Sequence, residues 1–256
     1  MSEPAVRYEI SDRVARIALD RPPVNALNLD MIRAVIAALR RAAADDGVRA
    51  VVLTSAVARR FCAGLDLGIL LDKSGLRVRE LLQGLYVDLH ESQRRLGKPS
   101  IAAVGGAARG GGMTLAISCD VIIAAQSATF GYPEVNIGVL PAIHFAHLPR
   151  IVGRHRAFEL LFTGRTFAAQ EAFELGLVSR IVADAELDAA AAALAADFCA
   201  KSPTVIGLGR AAFMRQNDWD DRARIADAVE DFCNIVMTDA AQEGIRAFVE
   251  KRPPNW

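Results

Sequence analysis

The spacing of apolar and polar residues divides the N-terminal part of the chain into a strand pair and a helix. Residues 6–20 are predicted to form a β-hairpin, because residues 14–19 alternate between apolar and polar positions and residues 11–13 supply a turn. Asn28 then stands before apolar residues that recur every three or four positions, which is typical of an amphipathic helix capped by that asparagine. We expect this helix to extend to about Ala44.

Strands and helices keep alternating through the middle of the chain. Residues 49–55 form a short apolar run typical of a buried strand, and leucines at helical spacing follow between residues 81 and 98. Two further apolar runs, residues 101–104 and 121–125, are predicted strands, separated by a glycine cluster and a short helix that begins near Gly111. This alternation predicts an α/β fold.

The chain becomes almost wholly helical from Asp184 onward. Helical patterns extend over residues 219–237 and 239–252, and Pro253-Pro254 ends the last of them. With 256 residues, 52% of them hydrophobic, the chain can form one main domain with a sizeable core and a helical appendage. This helical tail is predicted to be a subdomain or an oligomer interface.

Charge and cysteine content exclude several classes of partner. Thirty Lys and Arg residues balance thirty Asp and Glu residues, so no net charge draws the protein to nucleic acid or to an anionic membrane. The apolar runs are far shorter than the ~20 residues that cross a bilayer, and the charged N-terminus lacks a secretory-signal pattern. The four cysteines lack C-x-x-C spacing, so no disulfide scaffold is expected. We therefore expect a cytoplasmic protein that holds any anionic ligand through local groups.

Two glycine-containing turns follow predicted strands and could present backbone N–H groups to a ligand. The first is residues 60–67, and the second is the cluster at residues 105–115. The cluster matches neither a G-x-G-x-x-G fingerprint nor a P-loop, since no Lys-Ser or Lys-Thr follows Gly112. Each turn alone is equally typical of an ordinary connection between a strand and a helix. Together, the two turns could each aim one N–H group at a single oxygen, as stabilisation of an oxyanion requires.

A carboxylate stands on an irregular loop just after the predicted strand at residues 121–125. Residues 129–134 contain a glycine and a proline and end on Glu134. A carboxylate on such a loop can face a pocket and act on a substrate. The alternative is an exposed glutamate with a structural role.

Six short motifs along nearly the whole chain carry a family resemblance. They are Arg21-Pro22 with Asn25-Ala26-Leu27-Asn28, Ala63-Gly64-Leu65-Asp66-Leu67, Gly110-Gly111-Gly112, Cys119-Asp120, Phe130-Gly131-Tyr132-Pro133-Glu134, and Ala247-Phe248-Val249-Glu250-Lys251-Arg252. In order and spacing these motifs resemble the crotonase superfamily, the enoyl-CoA hydratase and isomerase group.

The resemblance implies a fold, an assembly and a substrate class. It implies a crotonase-like spiral of ββα units with a helical C-terminal oligomerisation region, assembled as a homotrimer or a dimer of trimers. By this resemblance we expect residues 1–200 to form the spiral core with the acyl-CoA site, and residues 201–256 to form the helical C-terminal region. Coenzyme A would enter as part of the substrate, and no separate cofactor and no metal are expected.

The resemblance also implies a set of site residues. The N–H groups of Leu65 and Gly111 would form the oxyanion hole for the thioester carbonyl, and Glu134 would move a proton. Substrate-binding positions are implied at Ala63, Gly64, Asp66, Leu67, Gly110, Thr114, Pro133, Phe248 and Lys251. Of these, Phe248 and Lys251 would hold the nucleotide end of coenzyme A, often from a neighbouring subunit.

The sequence departs from the hydratases of this family at one catalytic position. Those enzymes carry two glutamates, whereas here the first position is Thr114 and only Glu134 is a carboxylate. A threonine hydroxyl can hold water but cannot act as its base near neutral pH. One carboxylate suffices to take a proton from one carbon of an enoyl thioester and return it to another. Isomerisation is therefore favoured, and hydration or thioester hydrolysis stays as an alternative.

A second departure is the segment 141–148, which carries His144 and His147 where many hydratases are glycine-rich. Its bulk should narrow or reshape the acyl pocket, and the two histidines share one face of a helix. They could bond to a polar acyl group or replace the missing acid, although a structural or surface role is the simpler interpretation. No third ligand stands at a spacing that indicates a metal site. His90 and His155 are expected to be ordinary helix residues.

Two other classes of function stay open. A catalytically altered homologue that binds acyl-CoA without turning it over would agree with Thr114 and with the altered segment 141–148. A serine hydrolase would need a serine beside the glycine cluster and a histidine to activate it. Met113 and Thr114 occupy that region, which argues against the hydrolase.

Overall fold

The structure, a computed structural model, describes residues 5–72, 75–217 and 221–255. The strands in this part of the chain are β1 (Val6–Ser11), β2 (Val14–Leu19), β3 (Ala50–Ser55), β4 (Arg60–Cys62), β5 (Ser100–Val104), β6 (Ala107–Arg109), β7 (Val121–Ala125), β8 (Thr129–Gly131), β9 (Thr166–Ala168) and β10 (Arg180–Val182). The α-helices are α1 (Leu29–Ala44), α2 (Gly75–Leu82), α3 (Leu89–Arg94), α4 (Gly111–Ile117), α5 (Ala142–Val152), α6 (Arg154–Thr163), α7 (Ala169–Glu174), α8 (Leu187–Cys199), α9 (Pro203–Asn217), α10 (Asp221–Val236) and α11 (Asp239–Val249).

The N-terminal hairpin and helix are as predicted. Strands β1 and β2 pair antiparallel through a two-residue turn at Asp12 and Arg13, both of which have positive φ. Two positive φ angles in a two-residue loop match the right-handed twist of the flanking strands. The side chain of Asn28 accepts a hydrogen bond from the Met31 N–H at 2.9 Å, so the predicted N-cap of α1 is confirmed.

The larger sheet has six strands in the order β1-β2-β3-β5-β7-β10. Apart from the antiparallel β1, its strands run parallel to one another. Every residue of β5 is buried, as is all of β3 except Ser55. Strands buried on both faces read as continuous apolar runs, which is why the predictions for β3, β5 and β7 are confirmed.

A second, smaller sheet has the order β4-β6-β8-β9, and the sequence pattern did not predict it. Its strands are three residues long, too short for a hydrophobic period to appear. Along the chain three strands of the first sheet are each followed by a short strand of the second: β3 by β4, β5 by β6, and β7 by β8. This repeat is the spiral of ββα units that the resemblance implied, and the expected α/β class is confirmed.

The predicted leucine-rich helix is interrupted. It consists of α2, a π-helical segment Gln83–Asp88, and α3. The leucines at positions 81, 82, 85 and 89 are all buried, so the apolar face continues through the interruption. The π-helical turn shifts the register of the side chains that follow it, which brings His90 toward the site described below.

The C-terminal part is helical, in agreement with the sequence pattern. Helix α11 ends at Val249 rather than at residue 252, and Trp219, at the start of one predicted helix, lies outside the described residues. Arg210 of α9 attaches this region to the core by an ion pair with Asp120 at 2.8 Å. The division at residue 200 and the role of the helices in oligomerisation stay predictions.

Within the described ranges, no single helix is both long and apolar enough to cross a membrane. The segments Asp184–Cys199 and Pro203–Asn217 reach the required length and composition only as a pair, and they meet at an angle of 104°.

Candidate active site

The three chemistry-bearing segments singled out in the sequence follow three neighbouring strands of the smaller sheet. Strand β6 pairs with β4 on one side and with β8 on the other, and all three are parallel. Their carboxyl ends therefore lie at one edge of the sheet, where ligand sites of parallel sheets are found. Residues 63–67 leave β4, Gly110 follows β6, and residues 132–134 follow β8. The short strands bring these segments together.

The N–H group of Leu65 points away from the neighbouring chain segment. Leu27 donates from its N–H to the Gly64 carbonyl at 2.7 Å and accepts from the Asp66 N–H at 2.8 Å. In this parallel bridge the residues on either side of Leu65 make the bonds, which leaves its own N–H on the opposite side. No acceptor for it is found in the part of the chain that the structure describes.

The N–H group of Gly111 lies on the adjacent turn. Gly111 is the first residue of α4, so its N–H has no partner within the helix, and none is found elsewhere among the described residues. Gly64 has a φ of +95°, and a Cβ added to it would stand 3.0 Å from the Arg109 carbonyl oxygen and 3.4 Å from the Gly111 nitrogen. The two turns are thus in contact, and glycine at position 64 makes this approach possible.

Other glycines of the cluster are required by packing. A Cβ on Gly112 would lie 2.3 Å from the Cys62 carbonyl oxygen, and one on Gly106 would lie 2.1 Å from the Arg59 carbonyl carbon. These contacts hold the residues on either side of β6 against the strand β4 and the loop before it. The cluster therefore serves two purposes, and only part of it faces the candidate site.

Glu134 lies in the first turn of a 3₁₀ helix, Pro133–Ile137, and directs its carboxylate inward. Its Oε2 atom is buried and has no hydrogen-bond partner. A Cβ added to Gly110 would lie 2.8 Å from Oε1, so the carboxylate is packed against the glycine turn. Burial raises the pKa of Glu134 to about 7, since the charged form loses its hydration. The alternative of an exposed glutamate is wrong for the buried Oε2 atom, and the role of Glu134 in catalysis stays a prediction.

Thr114 is fully buried and faces a cluster of histidines. Its Oγ1 lies 3.3 Å from Nε2 of His144, whose Nδ1 lies 2.9 Å from Nε2 of His147. The ring of His90 meets that of His147 edge-on, with 6.3 Å between centroids. The prediction that His144 and His147 share a helix face is confirmed on α5, but the surface interpretation is wrong for His144, which is 1% exposed. His90 is likewise not an ordinary helix residue, because its Nε2 is buried without a partner.

Burial keeps these histidines uncharged. It lowers the pKa of His144 to about 3 and that of His90 to about 4. Burial also lowers the pKa of His147 well below its usual range, and the neighbouring His144 acts in the same direction. The part of the site formed by these histidines is therefore polar but neutral near pH 7.

The remaining predicted site residues divide into two groups. Ala63 is exposed beside the turn, while Asp66 forms an ion pair with Arg21 at 2.8 Å, and that arginine also donates to the Ala26 carbonyl. Leu67 begins a 3₁₀ helix that packs against α11.

Phe248 and Lys251, at the C-terminal end of α11, form the second group. Phe248 is 60% exposed, and Lys251 is exposed just after the helix. Helix α11 also packs on the segment that carries Glu134, so it touches both loops of the candidate site.

Comparison with known proteins assigns the chain to a family. Residues 9–256 match the family model described as enoyl-CoA hydratase/isomerase. The chain is 37% identical over 260 residues to a probable enoyl-CoA hydratase of Rhodobacter capsulatus. The matched region covers 100% of this chain and 99% of that protein. It is 33% identical to the short-chain-enoyl-CoA hydratase of Clostridium acetobutylicum, over 96% of this chain and 95% of that protein. The chain belongs to the enoyl-CoA hydratase/isomerase family.

Solved structures agree with this assignment to the enoyl-CoA hydratase/isomerase family. The crystal structure of an enoyl-CoA hydratase/isomerase from Pseudoalteromonas atlantica superposes with a TM-score of 0.87 at 29% identity, covering 98% of this chain and 99% of that one. The family resemblance stated from the sequence motifs is thereby confirmed, together with the fold class.

Sequence reasoning missed two side chains that surround the candidate site of this family member. Tyr86 is buried in the π-helical segment, and burial, followed by the nearby Glu134 charge, raises its pKa. His90 stands four residues later, and this helical spacing was a signal that the two share a face. The sequence does not reveal the π-helical turn, which shifts the register that such spacing assumes.

Proposed function

We propose that this chain acts on an enoyl thioester of coenzyme A, with Glu134 as the group that moves the proton. The observation that carries the proposal is the environment of Glu134: its Oε2 is buried without a partner, and burial raises its pKa to about 7. A carboxyl group with this pKa can accept and release a proton near neutral pH, as general acid–base catalysis requires. The names of the relatives support an enoyl-CoA substrate.

In this proposal the thioester carbonyl oxygen binds between the N–H groups of Leu65 and Gly111. Removal of a proton from C2 places negative charge on that oxygen. Two fixed N–H donors in a site that excludes water stabilise this charge more than they stabilise the neutral carbonyl. Contact between the Gly64 and Gly111 turns supports the pairing.

The reaction that one carboxylate performs most directly is movement of a double bond. Glu134 takes the proton from C2 of a 3-enoyl thioester, and the electron pair enters the enolate. The enolate then re-forms the carbonyl as the double bond moves to C2–C3, and C4 receives the same proton from Glu134. Atoms and charge balance without a second acid, which is why we favour isomerisation for a site with Thr114 at the other position.

Hydration is the second candidate. The relatives named above carry the name enoyl-CoA hydratase, and in this chain the buried Thr114 hydroxyl is hydrogen-bonded to His144. In this reaction the water oxygen bonds to C3 and a proton is delivered to C2.

Separate assays with 2-enoyl-CoA and 3-enoyl-CoA test the proposal. An isomerase produces the conjugated thioester absorbance from the 3-enoyl substrate, whereas a hydratase removes it from the 2-enoyl substrate. Glu134→Gln should abolish turnover and retain thioester binding, and Glu186→Gln, at an exposed position, is the matched control. Near wild-type turnover by the Glu134 variant would contradict the proposal. Binding without turnover by the wild type would favour the altered homologue, and release of free coenzyme A would favour a thioester hydrolase.

We further propose that the protein assembles as a homotrimer or a dimer of trimers, and that coenzyme A enters only as part of the substrate. The exposed Phe248 and Lys251 support the assembly, since a neighbouring copy can pack against these side chains. Sedimentation analysis would show a monomer if this is wrong. The cytoplasmic location stays a prediction.

A further inference from the structure

Two buried polar atoms without hydrogen-bond partners lie two residues apart in the segment that carries Glu134. They are the hydroxyl oxygen of Tyr132 and the Oε2 atom of Glu134. Buried polar atoms without partners are rare in native proteins, because each has lost its hydration without replacement. The phenol is a hydrogen-bond donor, and the carboxylate is an acceptor. The two groups are therefore chemically complementary.

Packing fixes the ring of Tyr132. The residue is fully buried, and its ring lies 4.5 Å from that of His144 and 6.3 Å from that of Phe167, measured between centroids. Pro133 joins Tyr132 to Glu134, and its fixed φ leaves the backbone between them little freedom. The orientation of the Glu134 side chain therefore decides whether the two groups meet.

The charge of Glu134 acts on the Tyr132 hydroxyl group. Burial raises the pKa of Tyr132 well above its usual range, and the Glu134 charge acts in the same direction. Burial and the Glu134 charge also raise the pKa of Tyr86. Both phenols therefore keep their protons near pH 7 and can donate them in hydrogen bonds. Of the two, Tyr132 is the one whose oxygen is buried without a partner, so it gains more from a bond to the carboxylate.

The charged residues around this segment lie at the surface. Helices α6 and α11 pack on the 3₁₀ helix Pro133–Ile137. Of their carboxylates, Glu159 and Glu243 form ion pairs with arginines at 3.0 Å and 2.6 Å, and Asp239 is exposed. The basic residues of both helices are exposed as well. A neutral donor is therefore the group that can reach the Glu134 carboxylate from the core.

The buried histidines are less suited to this task than the phenol. Both ring nitrogens of His144 are already engaged, Nε2 with Thr114 at 3.3 Å and Nδ1 with His147 at 2.9 Å. The ring of His90 packs against His147, the far member of this hydrogen-bonded series. Tyr132 is therefore the favoured donor.

The two oxygens of the Glu134 carboxylate have different surroundings. A Cβ added to Gly110 would lie 2.8 Å from Oε1 and 3.7 Å from Oε2, so Oε1 is the oxygen closer to the glycine turn. The Gly110 carbonyl accepts a hydrogen bond from the Thr114 N–H at 3.2 Å, and the next residue is Gly111. The proposed function places the thioester carbonyl at the Gly111 N–H. With the substrate in that position, Oε1 is nearer to the reacting carbon and Oε2 is left for another partner.

We propose that Tyr132 is a positioning residue, whose hydroxyl group donates to Oε2 of Glu134 while Oε1 moves the proton. The role of Oε1 in this inference rests on the proposed function. When Glu134 is ionised, the phenol donates to a charged oxygen, which is the stronger bond. When Oε1 holds the proton, Oε2 is a carbonyl oxygen and still accepts from the phenol. The same bond therefore serves both states of Glu134 and keeps the transferred proton on Oε1.

Infrared difference spectra of the whole protein test this bond without turnover. The stretching band of the protonated Glu134 carboxyl group is the band that Glu134→Gln removes, and its pH dependence gives the pKa of Glu134. Tyr132→Phe should raise that pKa by roughly one pH unit, because the ionised form loses a donor. Tyr8→Phe is the matched control, since it also removes a buried hydroxyl group without a partner, but on β1, where the ring lies against Arg41. Each tyrosine variant is compared with its own Glu134→Gln double variant.

The outcomes separate a positioning role from a structural one. A raised pKa of Glu134 in Tyr132→Phe, with no change in Tyr8→Phe, would confirm the bond. A purely structural tyrosine predicts a lower thermal midpoint in Tyr132→Phe with the pKa of Glu134 unchanged or lowered, which would overturn the proposal. A rise that appears only in Tyr86→Phe would overturn it too, because Tyr86 would then be the donor.

The proposed function and this positioning role can fail independently. If the wild type turns over 3-enoyl-CoA, the pH at which kcat/KM becomes level should move upward in Tyr132→Phe by the same shift as the infrared pKa. A shifted infrared pKa in a protein that turns over no enoyl thioester would contradict the proposed function and leave the bond to Oε2 in place. Turnover that depends on Glu134, with the same pKa in Tyr132→Phe as in the wild type, would contradict the positioning role only.

Discussion

The carboxylate of Glu134 is in contact with the backbone of Gly110. A Cβ at position 110 would stand 2.8 Å from Oε1, closer than such atoms approach one another in proteins. The φ of +48° and ψ of −115° at Gly110 also belong to a region that side chains rarely adopt. This glycine therefore fixes both the turn after β6 and the position of the Glu134 carboxylate.

Gly110→Ala should lower kcat by a factor of ~10² or more, because a carboxylate displaced by about 1 Å no longer reaches the carbon from which it takes the proton. Gly153→Ala is the matched control, since Gly153 also has positive φ but no atom within 4 Å of an added Cβ. Both variants should lose some thermal stability from backbone strain, and only the first should lose turnover. Equal kcat values, each measured per folded molecule, would contradict the assignment of Glu134.

The pKa of Glu134 predicts the pH dependence of isomerisation. Burial raises that pKa to about 7, and the base that takes the C2 proton must be ionised. The value of kcat/KM for a 3-enoyl-CoA should therefore rise ~tenfold per pH unit below the pKa and become level above it. Stopped-assay or absorbance rates in buffers of constant ionic strength measure this profile. A break at an ordinary glutamate pKa would show that the carboxylate is solvated.

The same pKa predicts a loss of folding stability as pH rises. Glu134 holds its proton more tightly in the folded chain, where its pKa is about 7, than at the ordinary value of 4.5. The stabilisation is fully present below the lower value and is lost as pH rises through the higher one, by about 3 kcal/mol at most. Urea unfolding measures the free energy of unfolding of the wild type and of Glu134→Gln at each pH. The contributions of the other titrating groups cancel in the difference between the two proteins. If the difference in free energy of unfolding does not decrease between these two pKa values, the Glu134 carboxyl is not buried.

The Arg210–Asp120 ion pair should contribute more stability than an exposed pair such as Arg16–Asp188. The Arg210 and Asp120 side chains are 7% and 18% exposed, and Arg210 also donates to the carbonyls of Gln93 and Arg94. Arg210→Met should lower the free energy of unfolding by about 3 kcal/mol, because Asp120 then loses its counter-charge and keeps only its two hydrogen bonds from Ser100. Arg16→Met removes an exposed pair with Asp188 and should cost less than ~1 kcal/mol. If both variants lost a similar free energy of unfolding, burial would not determine how much an ion pair contributes to stability.

Neighbouring residues in the sequence were sufficient to predict the elements that local interactions stabilise. The asparagine cap of α1, the positive-φ turn at Asp12 and Arg13, and the buried runs of β3, β5 and β7 could each be predicted from neighbouring residues. The family motifs added the fold class and the identity of the candidate site, because their order and spacing extend over the whole chain. The residues themselves therefore determined which chemistry is present.

The relationships that complete the site depend on pairing between distant segments. Three-residue strands have no readable period, so only the tertiary structure shows that β4, β6 and β8 are parallel neighbours whose ends converge. Burial is equally non-local: nothing near Glu134 or His144 in the sequence indicates that packing around them removes water and shifts their pKa values. The sequence by itself indicated Glu134 as the candidate acid–base group and located the two glycine turns. The tertiary structure decided that the Glu134 carboxylate and the hydrogen-bonded pair of Thr114 and His144 meet at Gly110. A site is formed by contacts between segments rather than by any one of them.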